Sequence, residues 1–454
     1  MDLTLTSLGA AGTVTGSKHL LQAGDRKILL DCGLFQGLKN LRERNWEPFP
    51  VSPAGIDAVV LSHAHLDHCG YLPRLVREGY RGDIICTAAT AALSEIILED
   101  SGQLQEKDAE YANRKGFSKH QPALPLYTLH EAKRALKRFV EAPFHRPIEL
   151  AGGATATFRR AGHILGAATV EIGWRDLKVM FSGDLGRYDD PVMLDPEPVE
   201  QADYLLVEST YGDRSHAKID PMEALGDLIE ETSRRGGSVV IPAFAVGRAH
   251  LLLYHLWRLK MQGRLRLVPI YLDSPMAIAA SDLQARFPED QRLSPEVCEQ
   301  VGKVATYVRD VEHSKAITAS HGPKIIVAAS GMATGGRVLH HLKALGPDHR
   351  NNILFSGYQA AGTRGAALLA GAREIKIHGQ WIPIRAQIAE LPMLSAHADA
   401  DEIMRWLGGF KTPPRRTFIV HGEPSASEAL RIRIKRELAW DVVVSDPTRT
   451  YPLT

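Results

Sequence analysis

Residues 63–68, with the sequence HAHLDH, combine four side chains of the kinds that bind metal ions. They follow an apolar, partly β-branched run at 58–61, which predicts a buried strand. Because alternate residues of an extended chain point the same way, His63 and His65 can hold one ion, while Asp67 and His68 point elsewhere. Left unpaired in a protein interior, these groups would be costly to desolvate. The segment therefore predicts the start of two neighbouring metal sites, an arrangement suited to hydrolysis at phosphorus or carbonyl centres.

Three more ligand-type residues stand in glycine-rich or strand-end positions. Asp31 ends the apolar run 28–30, His163 lies in the segment GHILG at 162–166, and Asp184 lies in SGDLG at 182–186. The glycines allow backbone to approach a site closely. Each segment alone resembles an ordinary turn, and their significance comes from their combination with residues 63–68.

Together these three motifs resemble those of the metallo-β-lactamase superfamily. The segments that end in Glu208, at 395–399 (SAHAD) and at 419–423 (IVHGE) resemble the extra motifs of its β-CASP branch. That branch includes the mRNA 3′-end cleavage endonuclease and related bacterial ribonucleases. The resemblance implies an α/β fold, namely a metallo-β-lactamase αββα sandwich with an inserted β-CASP domain built on a parallel α/β sheet.

The resemblance also implies two zinc ions per chain, with manganese as an alternative metal for the same ligands. Three histidines would hold the first ion, an aspartate and two histidines the second, and one aspartate would bridge them: His63, His65 and His163; Asp67, His68 and His421; and Asp184. Asp31 is better interpreted as a residue that orients a ligand imidazole than as a ligand.

For catalysis, the resemblance implies roles for Asp67, Glu208 and His397. His397 would protonate the leaving 3′ oxygen of a phosphodiester, and Glu208 would hold its imidazole in position. The predicted activity is zinc-dependent hydrolysis of single-stranded RNA, by endonuclease and also 5′-exonuclease cleavage, giving 5′-phosphate and 3′-hydroxyl ends. The histidine at 421 favours RNA, because DNA-repair members of the branch tend to have an apolar residue there.

Two glycine-rich segments, 330–337 and 356–365, lead into predicted helices and are expected to meet RNA phosphates through backbone N–H groups and side chains. The predicted phosphate contacts are Ser330, Gly331, Thr334, Gly335, Gly336, Arg337, Ser356, Gly357, Tyr358, Gln359, Thr363 and Arg364.

Composition narrows the cellular setting. The net charge of +1 offers no general basic field, so a nucleic acid would need a local patch. Four scattered cysteines without a CxxC pair argue against a thiolate zinc site and fit a reducing, cytoplasmic location. The sequence predicts neither a signal peptide nor a membrane helix, and it is compatible with a homodimer.

The order of predicted elements divides the chain of 454 residues into three segments. Residues 1–211 would form the first part of the metallo-β-lactamase domain, 212–370 the inserted β-CASP domain with alternating helices and strands, and 371–454 the return segment. A shared metal requires His421 to return to Asp184. Two alternatives remain: a small-molecule metallo-hydrolase of the same superfamily, and a catalytically inactive RNA-binding scaffold.

Overall fold

A computed structural model of the chain describes residues 3–116, 118–265, 267–447 and 449–454. These residues form two compact units. The first unit continues to Ser215 and resumes at His397, and the second unit is His216–Ala396.

The first unit begins with eleven strands and five helices. The strands are β1 (Leu3–Gly9), β2 (Lys18–Ala23), β3 (Arg26–Leu30), β4 (Ala58–Val60), β5 (Asp83–Thr87), β6 (Phe139–Ala142), β7 (Ile148–Glu149), β8 (Thr155–Arg160), β9 (Ala168–Trp174), β10 (Leu177–Phe181) and β11 (Tyr204–Glu208). The helices are α1 (Lys39–Arg44), α2 (Leu66–Cys69), α3 (Leu72–Arg77), α4 (Ala88–Lys115) and α5 (Leu129–Leu136).

The second unit alternates helices and strands. Its helices are α6 (Pro221–Arg234), α7 (Arg248–Met261), α8 (Pro275–Gln284), α9 (Pro295–Gly302), α10 (Val311–Ala319), α11 (Val338–Leu345) and α12 (Arg364–Leu369). Its strands are β12 (Val239–Pro242), β13 (Ile270–Leu272), β14 (Thr306–Tyr307), β15 (Ile325–Ala328), β16 (Asn352–Phe355), β17 (Glu374–Ile377), β18 (Gln380–Pro383) and β19 (Gln387–Glu390).

The chain then returns to the first unit. The returning elements are α13 (Ala400–Leu407), β20 (Arg416–Val420), α14 (Pro424–Leu438), β21 (Val442–Val444) and β22 (Thr450–Leu453).

Two seven-stranded sheets form the centre of the first unit, in the orders β22-β1-β2-β3-β4-β5-β6 and β21-β20-β11-β10-β9-β8-β7. Their facing sides bury one core that includes Leu30, Phe158, Phe181 and Phe418. A second core, with Leu205, Ile403 and Leu430 among its members, lies between the other face of the second sheet and helices α13 and α14. Helix α4 packs against β5 and β6 on the first sheet. These layers confirm the predicted α/β sandwich.

The second unit contains a six-stranded sheet in the order β14-β13-β15-β12-β16-β19, and every pairing in it is parallel. Fully buried runs such as Val239–Pro242 and Ile325–Ala328 explain this, since parallel strands covered on both faces are apolar throughout. The alternation therefore gives the predicted parallel α/β sheet. Strand β19 still belongs to this sheet through its pairing with β16, so the second unit extends beyond residue 370.

Residues that favour helix ends in the sequence cap two of the helices in the structure. Thr87 accepts a hydrogen bond from Thr90 N at the start of α4, and Gly116 ends that helix in the left-handed region. Asp399 and Glu402 form a capping box for α13. None of the helices in the described ranges is long and apolar enough to cross a membrane.

Candidate metal centre and active site

The ligand-type residues follow the carboxyl ends of parallel strands. Asp31 follows β3, His63 comes shortly after β4, Asp184 follows β10, and His421 follows β20, while Glu208 is the last residue of β11. Strands β3 and β4 are parallel neighbours in one sheet, and β10, β11 and β20 are parallel neighbours in the other. Because the two sheets share a core, these strand ends converge at one edge of the first unit.

One cluster consists of His63, His65, His163 and Asp184, whose ligand atoms all lie within 4.8 Å of one another. The distance from His65 Nδ1 is 3.1 Å to His63 Nε2 and 3.2 Å to His163 Nε2. His63 and His65 thus share one side of the chain, as the alternation predicts. His163 is supplied by the loop between β8 and β9.

A second cluster consists of Asp67, His68 and His421. His68 Nε2 lies 3.1 Å from His421 Nε2, and His421 Nε2 lies 3.4 Å from Asp67 Oδ2. Asp67 and His68 lie on the one-turn helix α2, and the ring centroid of His68 is 4.0 Å from that of His63, so the second cluster adjoins the first. The proximity of His421, more than three hundred residues later in the chain, requires the return segment to complete this unit.

Asp184 lies between the two clusters. Its Oδ2 is 3.4 Å from His63 Nε2 and 3.3 Å from His68 Nε2, and its Oδ1 is 3.4 Å from His421 Nδ1. The side chain is 1% exposed, so these contacts are shielded from solvent. Asp184 therefore contacts histidines of both clusters, and its bridging role stays a prediction.

Residues behind the clusters fix the orientation of the imidazoles. Asp31, which is fully buried, has Oδ2 2.6 Å from His68 Nδ1 and accepts hydrogen bonds from Ser17 and Ser62. Partners on one ring nitrogen determine which nitrogen faces a metal. Asp31 therefore directs His68 Nε2 toward Asp67 and Asp184.

Two hydroxyl groups that the sequence interpretation missed do the same for other histidines. Ser62 Oγ is 3.1 Å from His63 Nδ1, and Thr210 Oγ1 is 3.1 Å from His421 Nδ1. Their positions in the sequence could have indicated these roles. Ser62 directly precedes His63, and Thr210 comes two residues after Glu208, the last residue of β11.

The protonation states follow from burial and neighbouring charge. Burial, followed by the neighbouring His63, lowers the pKa of His65 to about 3, and burial also lowers the pKa of His63 and His163. Burial alone would raise the pKa of Asp184, but the adjacent histidines, His421 first, hold it well below its usual value. Neutral imidazoles and ionised carboxylates are the forms that bind cations.

His68 differs from these three histidines. Burial would lower its pKa, but the carboxylates of Asp184 and Asp31 raise it well above the usual value. The concentration of negative charge around this ring is what a bound cation would neutralise.

The donor set fits a pair of metal ions. Neighbouring imidazole nitrogens at 3.1 Å, as in His63 with His65 and His68 with His421, face one another and buried carboxylate oxygens. Nitrogen and oxygen donors without a thiolate suit zinc, and the same donors also bind manganese. The four cysteines are free and buried, and they are absent from the clusters.

Glu208 and His397 form a pair that adjoins the clusters, and a carboxylate oxygen of Glu208 lies within 4.8 Å of ligand atoms of Asp184 and His421. His397 Nδ1 lies 3.4 Å from Glu208 Oε1, which also accepts a hydrogen bond from Leu185 N at 2.6 Å. Thr210 N donates to the other carboxylate oxygen of Glu208. Burial would lower the pKa of His397, but Glu208 raises it above its ordinary value. The pair is built as an imidazole held by a fixed carboxylate.

The two glycine-rich segments predicted to contact RNA phosphates lie together in the second unit. Gln359 Nε2 donates to Gly331 O and to Gly357 O, both at 3.1 Å, and so joins the two segments. Ser330 Oγ accepts hydrogen bonds from Thr334 N and Gly335 N. Thr363 caps α12, and Ser356 and Gly357 are buried. Tyr358 and Gly336 lie within the same two loops.

The two arginines of these segments donate to protein acceptors. Arg337 Nη1 lies 2.6 Å from Asp273 Oδ1 and 3.0 Å from Val308 O. Arg364 donates to Lys376 O at 2.7 Å and to Ala333 O at 3.1 Å. In this conformation both guanidinium groups brace the loops, and a direct contact with RNA stays a prediction.

Comparison with family models places three regions along the chain. A model described as the metallo-β-lactamase superfamily matches residues 14–234, the β-CASP domain model matches 249–368, and a model described as the Zn-dependent metallo-hydrolase RNA specificity domain matches 381–445.

Individual relatives match over nearly the whole chain. It is 38% identical to "Ribonuclease TTHA0252" of Thermus thermophilus over 94% of this chain and 95% of that protein. It is 31% identical to "Transcription termination factor FttA" of Methanocaldococcus jannaschii over 93% of this chain and 67% of that protein. A crystal structure of a protein of unknown function from Enterococcus faecalis covers the full chain with a TM-score of 0.54 at 12% identity, which shows a shared fold.

Proposed function

The chain belongs to the β-CASP branch of the metallo-β-lactamase superfamily, and from this premise we propose that it is a zinc-dependent endoribonuclease. It hydrolyses phosphodiester bonds of single-stranded RNA and leaves 5′-phosphate and 3′-hydroxyl ends. The observation that carries this proposal is the convergence of seven histidine and aspartate side chains with the pair of Glu208 and His397 in one unit. The names of the relatives, a ribonuclease and transcription termination factors, support the choice of RNA.

Two zinc ions are the cofactor in this proposal. Three histidines would hold the first, an aspartate and two histidines would hold the second, and Asp184 lies where it could contact both: His63, His65 and His163 for the first, and Asp67, His68 and His421 for the second. When bound, the ions supply the Lewis acidity that activates water near neutral pH and offsets charge on the phosphate.

The remaining steps belong to the protein. Glu208 holds Nδ1 of His397, so Nε2 carries the proton that is delivered to the departing 3′ oxygen. Because Glu208 raises the pKa of His397, the imidazole is protonated in a larger fraction of molecules near neutral pH. The backbone donors Leu185 N and Thr210 N keep the Glu208 carboxylate in place.

The cellular setting is part of the proposal as well. Four buried free cysteines agree with a reducing cytoplasm, and we place the enzyme there. A homodimer is the assembly we propose to test by light scattering. The glycine-rich loops at 330–337 and 356–365 are proposed to follow the RNA backbone.

The decisive experiment uses single-stranded RNA labelled at either the 5′ or the 3′ end. Endonuclease cleavage should give labelled fragments of intermediate length from both RNAs. A chelator should stop the reaction, and zinc should restore it. Product ends should carry 5′-phosphates. Hydrolysis of thioesters or lactams with intact RNA would favour a small-molecule hydrolase, and RNA binding without cleavage by the zinc-loaded chain would favour an inactive scaffold.

A further inference from the structure

Strands β17 and β18 form a separate two-stranded hairpin in the second unit. His378 and Gly379 make its turn, with φ of 48° and 82°, as a two-residue hairpin turn with positive φ at both positions requires. One face buries Ile375, Ile377 and Ile382 in the core of this unit. The hairpin is therefore anchored, and its other face is held in a fixed orientation.

The outer face of this hairpin carries a tryptophan with an open ring. Trp381 is 62% exposed. Four of the six tryptophans have an aromatic ring or a guanidinium group against them, namely Trp46, Trp257, Trp406 and Trp440. Trp381 has no such contact with any described residue. An exposed, uncovered indole is an uncommon use of the largest apolar side chain.

One cation lies opposite this ring, and two more lie at the open end of the hairpin. Lys376 is directly opposite Trp381 across the strand pair, which places their Cβ atoms about 4.5–5.5 Å apart. Arg373 and Arg385 flank the hairpin, and both are exposed. Ile384 N, beside Arg385, donates a hydrogen bond to Arg373 O. Within the described ranges none of these three cations has an ion-pair partner, and Glu374 is the single acid of the hairpin face.

A single side chain connects the hairpin to one of the predicted phosphate-binding loops. Arg364 Nε donates to Lys376 O, and its Nη1 donates to Ala333 O and Thr334 O at 3.1 Å. The backbone of Lys376 is thus fixed against the loop 330–337 within the same unit. Trp381 is the residue paired with Lys376 in this hairpin.

From these observations we infer that the Lys376–Trp381 pair is a binding site for single-stranded RNA, in which one base stacks on the indole and Lys376 contacts the adjacent phosphate. The inference rests on the proposed function and adds a binding contact to it. Aromatic faces stack on every base, so this site binds RNA without selecting a sequence. Basic charge beside the ring matches the phosphate backbone.

The test measures binding of a short fluorescent single-stranded RNA by anisotropy in the His397→Ala background, in which we expect cleavage to be about 10²–10⁴-fold slower. Trp381→Leu should weaken binding about 5- to 100-fold, while Trp381→Phe, which retains a ring, should stay within about 3-fold. Lys376→Ala should reduce the dependence of log affinity on log salt by about 0.7, the value of one phosphate contact on a single strand. Met261→Ala, which removes another exposed side chain of this unit, should change neither quantity.

The outcomes separate this inference from the proposed function. If the active enzyme cleaves RNA and Trp381→Leu binds RNA like the parent, the stacking site is refuted and the ribonuclease stands. If light scattering shows that Trp381→Leu changes only the oligomeric state, the face is a protein interface and the inference is wrong. If the parent neither binds nor cleaves RNA, both proposals fail together.

Discussion

Individual side chains behind the metal centre hold one ring nitrogen of three of its five histidines. Asp31 contacts His68, Ser62 contacts His63, and Thr210 contacts His421. None of these three residues belongs to a ligand cluster, so each would affect a bound metal only through the histidine that it contacts. Such outer partners usually change metal affinity rather than remove the site.

Replacing Asp31 by asparagine should therefore weaken metal binding by about 10- to 100-fold. The amide removes the negative charge beside His68 Nδ1 and can present a donor where the ring also donates. Competition with a fluorescent zinc chelator measures the affinity. Asp25→Asn, in the exposed turn that precedes β3, is the matched control and should bind metal like the parent. Equal affinities of the two variants would refute the orienting role of Asp31.

His397 and His421 should give opposite phenotypes. His397→Ala should keep both zinc ions and RNA affinity but lose about 10²–10⁴-fold in the rate of the chemical step, the usual range for a general acid. His421→Ala should instead lower the zinc content, because its ring nitrogens lie 3.4 Å from Asp67 and Asp184. Metal analysis and single-turnover cleavage separate the two. Zinc loss in His397→Ala with full zinc in His421→Ala would mean that we have exchanged their roles.

Among the elements, the short helix α2 is supported by the loop after β3 and by the residue that precedes β2. Cys32 N donates to His68 O at 2.7 Å, and Ser17 N donates to Asp67 O at 2.8 Å. Gly33 lies so close to this helix that an added Cβ would be 1.6 Å from Asp67 O. The backbone of two proposed ligands is thus held by a contact that only glycine allows.

Gly33→Ala should lower the free energy of unfolding by about 1–3 kcal/mol, because the new methyl group must push the backbone of Asp67 away. It should weaken metal binding at the same time. Gly55 precedes the strand that leads to His63, and the nearest atom to an added Cβ there is Lys27 Nζ at 3.9 Å, so Gly55→Ala should be nearly neutral. Thermal unfolding with and without zinc measures both effects. A Gly33→Ala protein as stable as Gly55→Ala would contradict this account.

The sequence predicted those elements whose signals are local. Apolar runs at 83–86 and 239–242 predict strands, and the stretch from Ala88 predicts a helix; the structure contains all three. The pattern over 130–140 predicts one helix, but in the structure the helix ends at Leu136, because Phe139–Ala142 pairs with β5 as an edge strand. Partners that depend on distant register could not be predicted, such as Asp273 for Arg337 or Thr210 for His421.

At the scale of the whole molecule, the chain leaves the first unit and returns to it. Both large sheets of that unit are built only from its own two segments, with β20 and β22 pairing beside β11 and β1. The seven residues proposed as ligands all belong to this unit. A discontinuous domain was predictable, because one site needs both His63 and His421. The exact boundary between the two units could not be predicted, because β19 is a short, partly exposed strand that pairs with β16.

Removing the second unit should consequently leave the metal centre intact. Ser215 Oγ donates to Asp401 at 2.6 Å and Ala400 N donates to Arg214 O at 3.1 Å, so the two ends that a linker must join are neighbours within the first unit. A chain with a short Gly/Ser linker in place of His216–Ala396 should bind two zinc ions by metal analysis. Its RNA affinity should fall at least about 10-fold, since the proposed stacking and phosphate contacts are lost. In the same shortened chain His421→Ala should lower the zinc content, as a control for specific binding. If the shortened chain folds but binds no zinc, the second unit contributes to the metal centre. If the shortened chain cleaves RNA at the parent rate, the second unit is dispensable for substrate binding.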